Sequence, residues 1–162
     1  MRLVVISDTH IPDRYEEIPP AVLKDIKKAD LLIHAGDFTS LDFFQRLQAL
    51  KPIKAVLGNL DNPELQPSLK EREVFTLGKY KIGLMHGFGK PEVVLEHVHR
   101  CFDESYHLVI FGHTHNALCK TIGKTIFFNP GSPTDKIFAA KNSYGIIELN
   151  DTIESKIIVL ST

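Results

Sequence analysis

The sequence predicts an α/β fold of two mixed β-sheets that pack face to face, with helices on the outside. Over the first third of the chain, apolar runs typical of buried strands alternate with segments of helical periodicity. Over the remainder, short strands follow in pairs separated by turn residues. Since 162 residues suit one domain with a substantial core, we predict a single domain over residues 1–162.

The first part of the chain predicts strands in the order of a parallel sheet with helical crossovers. Its strands are continuous apolar runs, as expected of strands buried on both faces. Pro19 and Pro20 suit the start of the first helix, and Ser40 suits the N-cap of the second. The predicted elements are Leu3–Ile6, Tyr15–Lys28, Leu31–Ile33, Ser40–Leu50 and Ile53–Leu57.

The rest of the chain predicts hairpins around one more helix and strand. Gly-Lys and Asn-Asp turns join the paired strands, and we expect the late strands to be antiparallel. The predicted hairpins are Glu73–Thr76 with Lys81–Met85, Leu118–Ile122 with Thr125–Phe128, and Ser143–Leu149 with Thr152–Leu160. The helix is Pro91–Cys101, and the strand is Leu108–Phe111.

Composition argues against several classes of protein. The net charge of −1 gives no excess that would attract nucleic acid or an anionic membrane. No apolar run approaches the ~20 residues of a spanning helix, and the N-terminus turns polar too early for a signal peptide. Cys101 and Cys119 lie in different elements, which predicts buried free thiols in a reducing cytoplasm. We expect a cytoplasmic protein with no membrane or specific nucleic-acid partner, while a homo-oligomer stays possible.

The stretch Gly112-His113-Thr114-His115 follows a buried strand and carries two imidazoles. In an extended backbone, residues two apart point to the same side, so both rings could face one cleft at the end of the strand. Imidazole is the commonest metal ligand, but a single His-x-His pair is more often a surface or structural feature. The residues at the other strand ends decide between a metal site and a structural histidine pair.

Potential metal ligands follow five of the predicted strands. An isolated Asp at a strand end is usually a helix cap or a turn residue, and an isolated His is usually structural. Five strand ends that all carry oxygen or nitrogen donors are hard to explain in that way, so we predict a metal site. The donors are Asp8, His10, Asp37, Asn59, His86, His113 and His115.

These motifs, in this order, resemble those of calcineurin-like metallophosphoesterases. The matching stretches are Ser7–His10, Gly36–Asp37, Gly58–Asp61, His86–Gly87 and Gly112–His115. Asn129–Ser132 is similar to the small single-domain bacterial and archaeal phosphodiesterase branch. The resemblance implies a four-layer α/β/β/α sandwich and a metal-dependent phosphodiesterase. Such an enzyme would hydrolyse small phosphate esters through a hydroxide that bridges two ions.

The resemblance also implies a role for each donor. Asp8, His10 and His115 would hold the first ion, and Asn59, His86 and His113 the second, with Asp37 bridging the two. The implied catalytic residues are Asp37, Asn59, His86 and Asp61. Asp61 would orient a ligand or the substrate, with a simple turn role as the alternative.

The donor types narrow the choice of metal. Nitrogen and oxygen donors without thiolate favour Mn²⁺ first, with Ni²⁺, Co²⁺, Fe and Zn²⁺ also possible, over Mg²⁺ or Ca²⁺. Two divalent ions would bring +4, against −2 from Asp8 and Asp37. The site would stay cationic, which suits an anionic phosphate ester.

Leu60 departs from the family pattern, because many members have a histidine after the asparagine. That histidine is thought to protonate the leaving oxygen or to contact the phosphate, and general acid catalysis is typically worth ~10²–10⁴-fold. We expect slow turnover of esters with poor leaving groups and faster turnover of activated aryl diesters. A phosphomonoesterase or nucleotidase stays possible. So does a protein-binding scaffold, since one eukaryotic branch of this fold serves that role in the retromer complex.

Overall fold

The computed structural model describes residues 1–161, in which two five-stranded β-sheets and three α-helices form. The helices are α1 (Pro20–Lys28), α2 (Leu41–Leu50) and α3 (Val94–Cys101). The strands are β1 (Arg2–Ile6), β2 (Leu31–His34), β3 (Ile53–Ala55), β4 (Arg72–Leu77), β5 (Tyr80–Met85), β6 (Leu108–Ile110), β7 (Leu118–Ile122), β8 (Thr125–Asn129), β9 (Ser143–Leu149) and β10 (Ile153–Val159). None of the helices within residues 1–161 is long and apolar enough to cross a bilayer.

Both sheets are mixed. The first has the order β10-β9-β1-β2-β3, with β1, β2 and β3 parallel and β9 antiparallel to β1. The second has the order β4-β5-β6-β8-β7, with β5, β6 and β8 parallel. The three predicted hairpins, β4–β5, β7–β8 and β9–β10, are antiparallel as expected, whereas the parallel pairing of β5, β6 and β8 was not predicted. Helix α3 is the crossover that returns the chain to the same end of the sheet, and this makes β5 and β6 parallel.

Three separate apolar layers confirm the predicted four-layer α/β/β/α sandwich. Helices α1 and α2 pack on the first sheet, where Val22 and Phe44 contact the face that carries Val4. Leu3, Leu84 and their neighbours fill the space between the two sheets. Helix α3 packs on the outer face of the second sheet through residues such as Val98.

Several predicted boundaries shift for local reasons. Helix α1 begins at Pro20 rather than Tyr15, because Pro19 precedes a proline and takes extended angles, with φ −53° and ψ 137°. Helix α3 begins three residues after Pro91, at Val94. The Ser40 hydroxyl accepts a hydrogen bond from the N–H of Phe43 at 3.1 Å, so the predicted N-cap of α2 is present.

The two cysteines are free, but they are not buried as predicted. Cys119 is exposed and Cys101 is half-buried. Cys119 lies on β7, which is the edge strand of the second sheet, so its outward-facing side chains meet solvent.

Candidate metal centre

The predicted donors gather where the parallel strands of both sheets end. Donor atoms of four buried residues lie within 4.8 Å of one another: Asp8, His10, Asp37 and His115. The Nε2 atom of His115 lies 3.4 Å from His10 Nε2 and 3.4 Å from Asp8 Oδ1. Three strands thus bring together two carboxylates and two imidazoles.

The other three predicted donors form a second group beside the first. The side-chain oxygen of Asn59 lies 3.1 Å from His86 Nε2 and 3.0 Å from His113 Nδ1. The Oδ2 atom of Asp37 lies 3.5 Å from His86 Nε2 and 3.6 Å from His10 Nε2. Asp37 therefore stands between the two groups, and His113 and His115 face different groups.

Three of the imidazoles bond to an oxygen through the ring nitrogen that points away from the centre. His86 bonds through Nδ1 to the carbonyl of Ala35 at 2.7 Å, and His113 through Nε2 to the carbonyl of Gly89 at 2.8 Å. His115 bonds through Nδ1 to the carboxylate of Asp135. Each oxygen can accept an N–H from its ring, so the opposite ring nitrogen faces the centre and can bind a metal once it is unprotonated. This is the usual arrangement of histidines that bind a metal.

The backbone at the centre is bent into an unusual conformation. Asp8, His10, Asp37, His113 and His115 all have φ between 49° and 70°, a left-handed region that non-glycine residues seldom adopt. The expectation of an extended backbone at His113 and His115 is therefore wrong. The two rings reach the centre because the chain turns at each histidine. Such strain concentrates at functional sites.

Two glycines allow the motif loops to approach one another. A Cβ atom on Gly58 would lie 2.0 Å from Asp37 Oδ1, and one on Gly112 would lie 1.9 Å from the hydroxyl of Ser7. Any larger residue at either position would displace the neighbouring motif.

Asp61 lies behind the donors, and its carboxylate accepts three backbone hydrogen bonds. These hydrogen bonds come from the backbone N–H groups of Gly58 at 2.7 Å, Thr39 at 2.8 Å and Asp37 at 3.1 Å. This placement ties the loop after β3 to the loop after β2. Burial raises the pKa of the Asp61 carboxyl, although the Gly58 and Thr39 N–H groups oppose that effect.

The charged forms of His86 and Asp37 stabilise each other. Burial disfavours the charged form of His86, but the Asp8 and Asp37 carboxylates outweigh it and raise the pKa of His86 to about 9. Burial alone would raise the pKa of Asp37, yet His86 and the Leu60 N–H lower it to about 2. A cation that bound here would have to displace the His86 proton.

Two buried atoms of the donor residues have no hydrogen-bond partner among residues 1–161. They are Oδ1 of Asp8, which faces the centre, and Nδ1 of His10. An unpaired buried carboxylate oxygen is costly, and in proteins such an oxygen is normally paired or bound to a metal. The Asp8 oxygen faces His115 and His86 at 3.4 and 3.7 Å, so the residues present fit a bound cation.

Sequence reasoning overlooked Asp135, which supports His115. Its carboxylate also accepts hydrogen bonds from the Tyr15 hydroxyl at 2.8 Å and from the N–H of Phe138 at 3.0 Å. The pKa of Asp135 would rise through burial, but the Ile137 N–H, His115 and Tyr15 lower it to about 2. The available clue was topological: Asp135 follows β8, whose end lies beside that of β6.

His34 is a core histidine rather than a donor. It is fully buried, stacks on Phe38 with ring centroids 3.5 Å apart, and bonds to the Thr9 hydroxyl at 3.0 Å. Burial lowers its pKa well below the usual range. The Asn129 amide donates to the Gly112 carbonyl at 2.8 Å, so it braces the last motif without joining the donors.

Two cavities open on the centre and share Asn59. One of about 210 Å³ is lined by Arg14, Leu60 and Phe138, together with donors such as His113 and His115. The other, of about 460 Å³, is lined by Gln66, Met85 and Phe88, together with His86. Leu60 is 45% exposed and faces the smaller cavity.

The fold and the donor cluster are those of a metal-binding double-sheet sandwich. The profile described as "Calcineurin-like phosphoesterase superfamily domain" matches residues 1–152. The chain belongs to this superfamily, which confirms the resemblance found in the motifs.

Individual relatives agree with this family. The chain is 36% identical over 135 residues to a probable metallophosphoesterase from Methanothermobacter thermautotrophicus, covering 83% of this chain and 78% of that protein. The structure resembles that of an archaeal phosphodiesterase with a TM-score of 0.77 at 25% identity, covering 99% of this chain and all of the other. It also resembles Vps29 from Entamoeba histolytica complexed with Zn²⁺, with a TM-score of 0.73 at 25% identity and coverage of 98% and 99%.

Proposed function

We propose that this protein is a dinuclear-metal-dependent phosphodiesterase that hydrolyses small phosphate esters. The observation that carries the proposal is the pair of donor groups on either side of Asp37, with an unpaired buried oxygen on Asp8. Two carboxylates among seven donors would leave a two-ion centre cationic, as an anionic substrate requires.

The proposed roles follow the two groups. Asp8, His10 and His115 would hold one ion, and Asn59, His86 and His113 the other, with Asp37 shared. Bound ions would polarise the phosphoryl oxygens and lower the pKa of a water molecule, and Mn²⁺ is our first choice. Ala35, Gly89 and Asp135 fix the orientation of His86, His113 and His115.

Asp61 acts on the centre through the backbone in this proposal. Its carboxylate holds the N–H groups of Asp37 and Gly58, so it orients the shared carboxylate. Asp61 is thus a positioning residue. The Leu60 N–H holds the other oxygen of Asp37 at 2.9 Å, which leaves Oδ2 for the metal ions.

The two cavities support a diester rather than a monoester as the substrate. A phosphodiester has two organic groups, and two cavities that share Asn59 lie next to the donors. With phosphorus at the centre, each group would have its own cavity. Two free cysteines support placing this activity in a reducing cytoplasm.

A protein-binding role is the second candidate, because the structure is similar to Vps29. The complete set of donors favours catalysis over this alternative.

The test uses the full chain with Mn²⁺, Fe, Co²⁺, Ni²⁺ or Zn²⁺, and measures metal content and hydrolysis on the same preparation. We expect two ions per chain and faster hydrolysis of bis(p-nitrophenyl) phosphate than of p-nitrophenyl phosphate. Asp37→Asn should lose both ions and activity, whereas Asp151→Asn at a remote turn should keep them. Faster monoester hydrolysis would favour the phosphomonoesterase, and two bound ions without hydrolysis would favour the binding protein.

A further inference from the structure

The smaller cavity contains one cationic side chain, that of Arg14, among its lining residues. Arg14 is exposed, and its backbone N–H donates to the carbonyl of His10 at 2.9 Å, which ties it to the first motif. The ion pairs found within residues 1–161 all use other cations. The guanidinium therefore stands beside the donor cluster and has no carboxylate partner among residues 1–161.

The ring of Phe138 lies next to this guanidinium at the rim of the cavity. It is 61% exposed, and the Cζ atom of Arg14 lies 5.9 Å from the ring centroid, within range of a cation–π contact. The same ring meets His115 edge-on at 5.7 Å. Since the N–H of Phe138 donates to Asp135, the carboxylate that orients His115 also fixes the position of this ring.

Leu60 leaves this cavity without a second group that could bind phosphate oxygens by charge. A planar guanidinium forms paired hydrogen bonds to phosphate and stays protonated at all ordinary pH values. Arg14 can thus attract the phosphate, but it cannot give a proton to the leaving oxygen.

We propose that Arg14 binds the phosphate of the substrate and that Phe138 is a positioning residue that holds its guanidinium beside the donor cluster. This inference rests on the proposed phosphoesterase function. The substrate phosphate would then contact the metal centre on one side and Arg14 on the other. Phe138 would act through Arg14 and not through the organic group of the ester.

The test is the dissociation constant of phenylphosphonate, a non-hydrolysable probe, measured by titration calorimetry on the Mn²⁺-loaded protein. Arg14→Gln should weaken binding by ~10-fold or more, as expected for loss of a charged hydrogen bond. Arg14→Lys should retain part of the affinity, because the charge stays while the planar fork is lost. Arg46→Gln, on the exposed face of α2, is the matched control and should bind as the wild type does.

A double-mutant cycle tests the role of Phe138. Phe138→Ala alone should weaken binding by ~2–5-fold, as expected for loss of an exposed cation–π contact. Combined with Arg14→Gln it should add nothing, because the residue it positions is already gone. The neighbouring Ile137→Ala, which removes an exposed side chain outside the cavity, should leave binding unchanged.

The outcomes separate this inference from the proposed function. Binding by Arg14→Gln within twofold of wild type would overturn the role of Arg14. Independent, multiplicative effects of the two variants would overturn the positioning role of Phe138. If the wild-type protein holds two ions but neither binds phenylphosphonate nor hydrolyses diesters, the proposed function itself fails, and this inference fails with it.

Discussion

Asp135 shows how a residue outside the predicted donors can control one of them. Replacing it by asparagine keeps the size of the side chain but removes the charge that faces His115 Nδ1. Loss of such a partner typically weakens metal affinity by ~10–100-fold. We therefore expect Asp135→Asn to bind Mn²⁺ less tightly, as measured by titration calorimetry.

The control for this variant is Asp151→Asn, which changes an exposed carboxylate in the β9–β10 turn. Thermal unfolding of both metal-free variants will separate loss of affinity from loss of structure. An unchanged Mn²⁺ affinity in Asp135→Asn would show that His115 does not depend on this carboxylate.

If the protein is the proposed phosphodiesterase, we expect Leu60 to limit the leaving groups that it can hydrolyse. Its side chain faces the cavity that also contains His113 and His115, so an imidazole at this position could reach the substrate. A restored general acid is typically worth ~10²–10⁴-fold, and most of the gain should fall on esters with poor leaving groups. We expect Leu60→His to accelerate alkyl phosphate hydrolysis far more than aryl phosphate hydrolysis.

The measurement compares kcat/KM for a methyl and a p-nitrophenyl leaving group, with Leu60→Gln as a polar control that cannot act as an acid. If Leu60→His is folded and metal-loaded but hydrolyses alkyl esters no faster than wild type does, the account of Leu60 is wrong.

At the scale of elements, one hydrogen bond links strand β9 to helix α1. The Tyr144 hydroxyl donates to the Asp25 carboxylate at 2.6 Å. Burial, together with this hydrogen bond and the Asp25 charge, raises the pKa of Tyr144 above its usual value. The stability that comes from this raised pKa is present below the pKa of an unfolded tyrosine, ~10, and is lost as the pH rises beyond it.

We expect Tyr144→Phe to lower the free energy of unfolding by about 1–3 kcal/mol at pH 8, as for loss of a hydrogen bond to a charged group. The difference in the free energy of unfolding between the variant and the wild type, here called the gap, should become smaller as the pH rises above ~10. Urea unfolding of both proteins across this range measures the gap. A gap that stays constant with pH would mean that the Tyr144 pKa is not raised.

The candidate metal centre draws its ligands from both sheets of the molecule. Donors follow β1, β2 and β3 of the first sheet and β5 and β6 of the second, so a bound ion would connect both. Metal at 100 times its dissociation constant stabilises the folded state by ~2.7 kcal/mol. At ~2–4 °C per kcal/mol for a chain of this size, that corresponds to a rise in Tm of ~5–11 °C.

Scanning fluorimetry with and without Mn²⁺ will measure this rise. Asp37→Asn removes the shared carboxylate and should abolish most of it, while Asp151→Asn should not. The absence of any rise in Tm with Mn²⁺, Fe, Co²⁺, Ni²⁺ or Zn²⁺ would contradict a metal site that joins the sheets.

Local patterns in the sequence predicted the two packed sheets and the candidate donors. Apolar runs and helical spacing depend only on neighbouring residues, so β1, β2 and the Ser40 cap of α2 were predictable. The five motifs were recognisable because each donor adjoins a strand end.

Contacts between distant segments set the remaining features of the fold and the candidate site. The parallel direction of β6 and β8, the contact of Asp135 with His115 and the place of Arg14 beside Phe138 each join residues that no local pattern connects. Tertiary contacts also set the left-handed backbone conformations of His113 and His115, because local preference disfavours them and the surrounding packing imposes them. For that reason the sequence indicated which residues could bind a metal, and the fold decided how they face one another.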